Sequence, residues 1–294
     1  MINAALLALI VVAVVAAVAR LARNRVGAAD LPSERLRAVE ASTRRWRALG
    51  TVAGLAGGGV AMSGGGLGRG ILLAAPIFGL CVLAGVVAGE LRVPSPGGPT
   101  RRAALEVRRA GSYLPRRLGG TVAAATALLA GVVVVTTMTG SPDDLGRAGR
   151  ALVRHCSAAL TESAGPWPGS YYTVPLAVVV AVGLACAALA ARRIVRRPRQ
   201  DEDRVADDVL RRHAVSAVVA ATGILVAVPL AGISLVAASA MFNIACRPGW
   251  WTVFGWALLA LCPALVALVG WCAATLTPHG GRSTRDRSAS PTVR

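Results

Sequence analysis

The chain has 294 residues, of which 55% are hydrophobic, and 32 basic residues stand against 14 acidic ones, so the net charge is +18. Such a charge is typical of nucleic-acid-binding proteins. Here, however, the basic residues lie between apolar runs of about 18 residues or more, so they cannot form one basic face, and nucleic acid is excluded as a partner. All the basic residues are arginine, which also excludes chemistry on a lysine Schiff base.

Seven apolar runs are long enough to cross about 30 Å of hydrocarbon as helices. They cover residues 2–19, 49–67, 71–89, 118–138, 173–191, 214–242 and 250–275. We therefore predict an all-α, polytopic membrane helix bundle with seven transmembrane helices. The first run is followed by arginines and not preceded by them, the reverse of a secretory signal peptide, so we expect an uncleaved anchor. A cleaved signal is the alternative.

The region between the first two runs, residues 20–48, carries eight arginines. Leu36, Val39 and Trp46 recur within it at near-helical spacing. This pattern predicts an amphipathic helix on the inner membrane surface, with Trp46 at the level of the lipid headgroups.

Glycines in the second and third runs are spaced like a helix-packing face. Gly50, Gly54 and Gly58 lie four residues apart, as do Gly85 and Gly89. Because glycine has no Cβ, a neighbouring helix backbone can approach such a face closely. We expect these five residues to pack helices together. A glycine-rich helix without a special partner is the alternative.

The segment 140–172 is the one long polar stretch that is poor in arginine. The sequence Ser-Pro-Asp-Asp at 141–144 is typical of a helix start, with a cap, a first-turn proline and carboxylates near the positive helix end. We predict an extracytoplasmic helical segment, broken by the Gly-Pro-Trp-Pro-Gly stretch at 165–169.

The distribution of arginine predicts the orientation. Segments on one side of the predicted spans hold 27 arginines, and those on the other side hold five. The five are Arg69, Arg147, Arg150, Arg154 and Arg247. Because cytoplasmic loops carry the excess of basic residues, we predict an outer N-terminus, an inner C-terminus and a disordered cytoplasmic tail over 278–294. The expected location is a bacterial plasma membrane, with anionic headgroups of its inner face as partners.

Only two of the six cysteines lie outside the apolar runs. They are Cys156 and Cys246, and both fall on the predicted outer side, where disulfides form. We hypothesise that they pair; two free thiols are the alternative.

The sequence holds no pattern that indicates a catalytic, metal or cofactor site. No ionisable residue lies in the middle of an apolar run, which argues against ion-coupled transport through an intramembrane carboxylate and against intramembrane proteases. The acidic residues at 201–208 are expected to pair with neighbouring arginines on an exposed helix. We predict a non-enzymatic membrane subunit or scaffold that binds lipid and a membrane or cytosolic protein. The alternative is a permease or exporter component for a neutral or lipophilic substrate, working with an ATP-binding partner.

Three stretches, 141–150, 165–172 and 246–251, together with the arginine-only charge, resemble those of multi-pass integral membrane proteins of actinobacteria that have no assigned activity. Some of these are similar in setting to membrane partners of ATP-driven exporters, and the resemblance implies the same setting here. Residues 101–135 and 204–230 also share an arginine-flanked helix followed by an apolar run, so an internal duplication is an alternative to convergent composition.

Overall fold

The computed structural model describes residues 34–64, 68–92, 113–196 and 204–276. The predicted first span at 2–19 and the predicted tail at 278–294 lie outside these residues.

Within the described ranges the chain forms six helices and one β-hairpin. The helices are α1 (Glu34–Ser63), α2 (Arg69–Leu91), α3 (Arg116–Met138), α4 (Ser170–Arg196), α5 (Arg204–Phe242) and α6 (Gly249–Leu276), and the strands are β1 (Leu152–His155) and β2 (Thr161–Ala164). The strands pair antiparallel, with Leu152 opposite Ala164 and His155 opposite Thr161.

Five of these helices are long and apolar enough to cross a membrane. They are α2, α3, α4, α6 and the part of α5 from Arg211 to Phe242, with 23, 23, 27, 28 and 32 residues respectively. At about 1.5 Å per residue each exceeds the roughly 30 Å of hydrocarbon in a bilayer. These helices coincide with the third to seventh apolar runs of the sequence.

The remaining helix, α1, joins two elements that the sequence analysis treats as separate. The predicted amphipathic helix and the predicted span at 49–67 form one continuous helix that ends at Ser63. Gly50 does not break this helix. It lies against α2 within the helix and not at a turn. By length and composition α1 is not among the five candidate spans, since its glycines contribute little apolar surface and arginines occupy its first half.

The bundle is built around α5. This helix packs against α2, α3, α4 and α6, whereas α1 packs mainly on α2. Of the most apolar stretch of α5, 78% is buried, compared with 22–33% in the other four candidate spans. A helix that is apolar on all sides is expected to be buried on all sides. Its many buried alanines, among them Ala220, Ala221, Ala227 and Ala237, keep it thin enough for four neighbours to reach it.

The prediction of a helical segment over 140–172 is wrong. Residues 141–151 form an irregular loop, the hairpin follows, and helix begins again only at Ser170. Residues 141–144, which have the pattern of a helix start, take part in a turn instead. Asp143 accepts hydrogen bonds from the backbone N–H groups of Leu145 and Arg147. Gly146 and Gly149 then adopt φ values of 71° and 68°. Two left-handed residues three apart cannot belong to a right-handed helix.

Candidate functional site at the hairpin end of the bundle

One end of the bundle holds the β-hairpin and the longest described loop. At this end, called the hairpin end below, α3 and α5 finish and α2, α4 and α6 begin. It holds the hairpin and the turn at 243–248 between α5 and α6. The opposite end, at which α2, α4 and α6 finish, is called the arginine-rich end.

The two cysteines singled out by the sequence meet at the hairpin end. A disulfide joins Cys156, just after β1, to Cys246 in the turn between α5 and α6, with the two Cα atoms 5.7 Å apart. Glu162 of β2 adds a second link, because its Oε2 atom accepts hydrogen bonds from the backbone N–H of Ala245 (2.7 Å) and of Cys246 (3.3 Å). Both strands are therefore tied to the same turn.

Cys156, Glu162 and Cys246 also form a set of residue types that bind metals, with their ligand atoms within 4.8 Å of one another. The thiolate, however, is the sulfur form that binds a metal, and the two sulfurs here are bonded to each other. The carboxylate already has two N–H partners. The disulfide and the carboxylate therefore link the hairpin to the helices.

Trp167 anchors the other side of the hairpin. Its side chain is 1% exposed, and its indole N–H donates to the backbone carbonyl of Thr136 in the last turn of α3 (2.9 Å). Its own backbone N–H donates to the carbonyl of Arg150 (2.9 Å). A buried tryptophan needs such a partner for its N–H group. The indole thus fixes the loop to α3.

All five arginines predicted on the outer side lie at the hairpin end, in its loops, in β1 or at the start of α2. Arg147 forms a salt bridge with Asp143 (2.7 Å). Arg247 donates to the carbonyls of Phe242 (3.0 Å) and Ile244 (3.1 Å) at the end of α5. Arg154 lies 5.8 Å from the ring centre of Trp251.

The last two, Arg150 and Arg69, share one aromatic ring. Their guanidinium carbons lie 3.8 Å and 4.8 Å from the ring centre of Tyr171, in the first turn of α4. Cation–π contacts of this kind are attractive but supply no hydrogen-bond acceptor for the guanidinium N–H groups in the ring plane.

The pKa of Asp143 is shifted by the contacts that its carboxyl makes in the turn. Desolvation raises the pKa, but the hydrogen bonds from the backbone N–H and the side chain of Arg147 and from the backbone N–H of Leu145 outweigh it. The pKa of Asp143 therefore lies below its ordinary value of 3.8. The ionised form is the one that closes the turn.

The arginine-rich end has fewer specific contacts among the described side chains. Arg47 of α1 forms a salt bridge with Glu90 of α2 (3.5 Å), and Arg92 stacks on Trp46 at 3.7 Å. Tyr113 donates to Asp208 (2.9 Å). The rest of the predicted network of acidic residues at 201–207 falls outside the described side chains.

Arg211 is a buried exception at this end, and sequence reasoning missed it. The side chain is 0% exposed, and its Nη1 atom donates to the carbonyls of Ile194 (3.1 Å) and Val195 (2.9 Å) in the last turn of α4. The last carbonyls of a helix lack intrahelical donors and carry the negative end of the helix dipole. A cation from α5 therefore caps α4 and locks the two helices together.

The glycine rows singled out by the sequence face each other between α1 and α2. A Cβ on Gly50 would lie 2.8 Å from the Cα of Gly85, and one on Gly85 would lie 2.7 Å from the Cα of Gly50. Gly54 lies against Phe78, Gly58 against Ala74, and Gly89 against Thr43. The backbones touch along this seam, as close packing of small residues in membranes requires.

The interior of the described bundle is apolar, with hydroxyls as its main polar groups. Thr222 and Thr136 donate to carbonyls of their own helices. The Oγ atom of Ser234, at 0% exposure, has no hydrogen-bond partner in the described residues. Four cysteines within the helices are free: Cys81, Cys186, Cys262 and Cys272.

Comparison of the chain with protein-family models, with curated proteins and with solved structures finds no match.

Proposed function

We propose that the chain is a non-enzymatic subunit or scaffold of a bacterial plasma membrane. The observation that carries the proposal is the environment of α5. This central helix is surrounded by four others, and most of its buried residues are alanine, valine, leucine or isoleucine. An ion or polar-substrate pathway needs polar groups at that depth. At that depth of α5 the described polar side chains are the hydroxyls of Thr222, which donates within its own helix, and of Ser234.

The proposal includes seven spans. Five are the candidate helices, α1 is the sixth, and residues 2–19 supply the seventh. The face of α1 turned away from α2 exposes Leu49, Val52, Leu55, Val60 and Met62. A row of large exposed apolar side chains opposite a glycine seam suits a helix that faces lipid on one side and protein on the other.

The proposed orientation places the hairpin end outside and the arginine-rich end inside. Five arginines lie at the hairpin end, whereas eleven described arginine side chains lie at the opposite end. The positive-inside rule favours this orientation. So does the disulfide, because such bonds persist in oxidising compartments.

The arginine-rich end is the proposed partner surface. Arg192, Arg193 and Arg196 in the last turns of α4 are exposed, as are Arg116 and Arg117 at the start of α3. Each arginine near an anionic membrane surface contributes about 1 kcal/mol of attraction. The same charges suit an acidic surface on a cytosolic protein.

Affinity purification from native membranes in mild detergent tests the proposal. We expect a membrane or cytosolic protein to co-purify with the tagged chain, and we expect its recovery to fall when Arg192, Arg193 and Arg196 are replaced by Gln. Arg154→Gln, an exposed arginine at the other end, is the control and should leave recovery unchanged. Recovery of an ATP-binding subunit together with substrate export would overturn the scaffold in favour of the permease. Recovery of nothing from any sample would overturn the subunit role.

A topology reporter separates the orientation from the function. A reporter fused next to Pro168 should be active only in its extracytoplasmic form. A cytosolic signal at that position would reverse the proposed orientation and leave the partner assay unaffected.

A further inference from the structure

Arg69 and Arg150 differ from Arg147, Arg211 and Arg247 in what their side chains contact, because both lie on the ring of Tyr171. Arg147, Arg211 and Arg247 each donate to carboxylate or carbonyl oxygens. No described carboxylate lies within salt-bridge distance of Arg69 or Arg150, and the buried Nε–H group of each has no hydrogen-bond acceptor among the described residues. Arg47 shares the unpartnered Nε, but its Nη2 atom pairs with Glu90.

The position of Arg150 is fixed by its backbone. Its N–H donates to the carbonyl of Ser141 (3.1 Å), and its own carbonyl accepts from Trp167 (2.9 Å). The preceding Gly149, at φ 68°, lies so close to the start of α4 that a Cβ there would be 2.7 Å from the backbone nitrogen of Ser170. Only a glycine can be accommodated at position 149, and the close contact with the start of α4 places Arg150 against the ring of Tyr171.

Arg69 reaches the same ring from another helix. It is the first residue of α2, whose N-cap is Gly68 at φ 76°, with no side-chain cap and no acidic residue in the first turn. The positive end of α2 is therefore left without a negative group of its own. Two guanidinium groups and an uncapped helix start thus converge on Tyr171, and no described carboxylate lies within salt-bridge distance of either arginine.

We propose that Arg69 and Arg150 together bind a phosphate group at the hairpin end of the bundle. Two like charges held on one ring repel each other, and a shared anion removes that repulsion and supplies the missing acceptors. Guanidinium groups bind phosphate oxygens through paired N–H donors, and the tetrahedral anion has oxygens enough for both arginines.

The site lies at the depth of lipid headgroups. Tyr171 and Tyr172 form an edge-to-face pair in the first turn of α4, and tyrosines are enriched at the interface of a membrane. Exposed apolar side chains follow immediately on both helices, at Ile71 of α2 and Val174 of α4. Acyl chains would lie along this surface while the phosphate reaches the arginines. The phosphate of a lipid headgroup and free phosphate offer the same chemistry.

Native mass spectrometry of the full chain from detergent micelles tests this site. The probes are phosphatidylglycerol, a glycosyl diacylglycerol without phosphate, and inorganic phosphate. We expect the wild type to retain phosphatidylglycerol over the phosphate-free lipid. We expect the variant with both Arg69→Gln and Arg150→Gln to bind it at least about tenfold more weakly, since charged hydrogen bonds are lost. Arg154→Gln removes one charge from the same end and should bind as the wild type does.

The outcomes distinguish a lipid phosphate from free phosphate, and they show whether the proposed site exists. Retention of phosphatidylglycerol that inorganic phosphate does not displace supports a lipid site, and displacement by millimolar inorganic phosphate supports a site for the free anion. Equal retention of the two lipids by the wild type would refute the site without any variant. So would an equal loss of binding in Arg154→Gln. An intact Cys156–Cys246 disulfide in each variant checks that the hairpin end has folded.

Discussion

The two ends of the bundle are stabilised in different ways. At the hairpin end, a disulfide, a buried tryptophan and a carboxylate bound to backbone N–H groups fix the loops to particular helices. At the arginine-rich end most described arginines are exposed, and Arg47–Glu90 is the only salt bridge between described side chains there. The first end is held together by specific contacts, whereas the second exposes most of its described charge.

Replacing Trp167 should have the largest effect on this contrast. Trp167→Ala removes a fully buried indole and its hydrogen bond to Thr136, so we expect it to lower the free energy of unfolding by about 3–5 kcal/mol. Unfolding by SDS in mixed micelles measures the change. Trp250→Ala, at the same end but 64% exposed, is the control and should change it by less than about 0.5 kcal/mol. Equal effects of the two variants would show that the hairpin does not depend on the buried indole.

Removing the disulfide should come next. Replacing both Cys156 and Cys246 by Ser opens a link between residues 90 apart in sequence, and links of this kind contribute about 2–4 kcal/mol. The same SDS titration measures it, with the exposed free Cys186→Ser as control. Counting thiols gives an independent check: alkylation of the denatured chain without reductant should modify four cysteines, and six after reduction. Six modified cysteines before reduction would contradict the bond.

At Arg211 the arginine-rich end resembles the hairpin end, because a buried side chain is hydrogen-bonded to particular backbone groups of another helix. Arg211→Met keeps the length of the side chain but leaves the carbonyls of Ile194 and Val195 without their donor, so we expect a loss of about 1.5–3 kcal/mol. Arg212→Met is the matched control, because Arg212 is the next residue in the sequence and its side chain is exposed. A loss confined to Arg211 would mark it as the structural arginine of this end. A similar loss for both would mean that overall charge is responsible.

The same contrast explains which features the sequence predicts well. Apolar runs predict helices because burial in lipid depends on composition over about 20 residues, and no distant contact is needed. The pairing of Cys156 with Cys246 also follows from composition, since these are the two cysteines outside the runs and arginine places both on one side. The five arginines predicted together are together for the same reason.

The features that depend on contacts between distant residues could not be predicted. Ser141 and Asp143 carry a helix-start signal, yet Gly149 must pass the start of α4, and this fixes a left-handed turn in place of a helix. Arg211 lies just before an apolar run like several exposed arginines, and only its position beside the end of α4 makes it buried. Arg69 and Arg150 are 81 residues apart and meet only because α2 and α4 are neighbours.

The smallest expected effect concerns the exposed turn at Asp143. Because its pKa is lower in the folded chain than its ordinary value of 3.8, ionised Asp143 favours the folded turn above that pH. The contribution is lost as the pH falls through the folded pKa, below 3.8. Hydrogen exchange of the Arg147 amide, corrected for its intrinsic pH dependence, should therefore lose protection in this acidic range and not near neutrality. Asp143→Asn should abolish the pH dependence and keep an acceptor for the two N–H groups, while Asp144→Asn should leave it unchanged. Loss of protection that begins near neutrality would contradict the assignment of the effect to the carboxylate of Asp143.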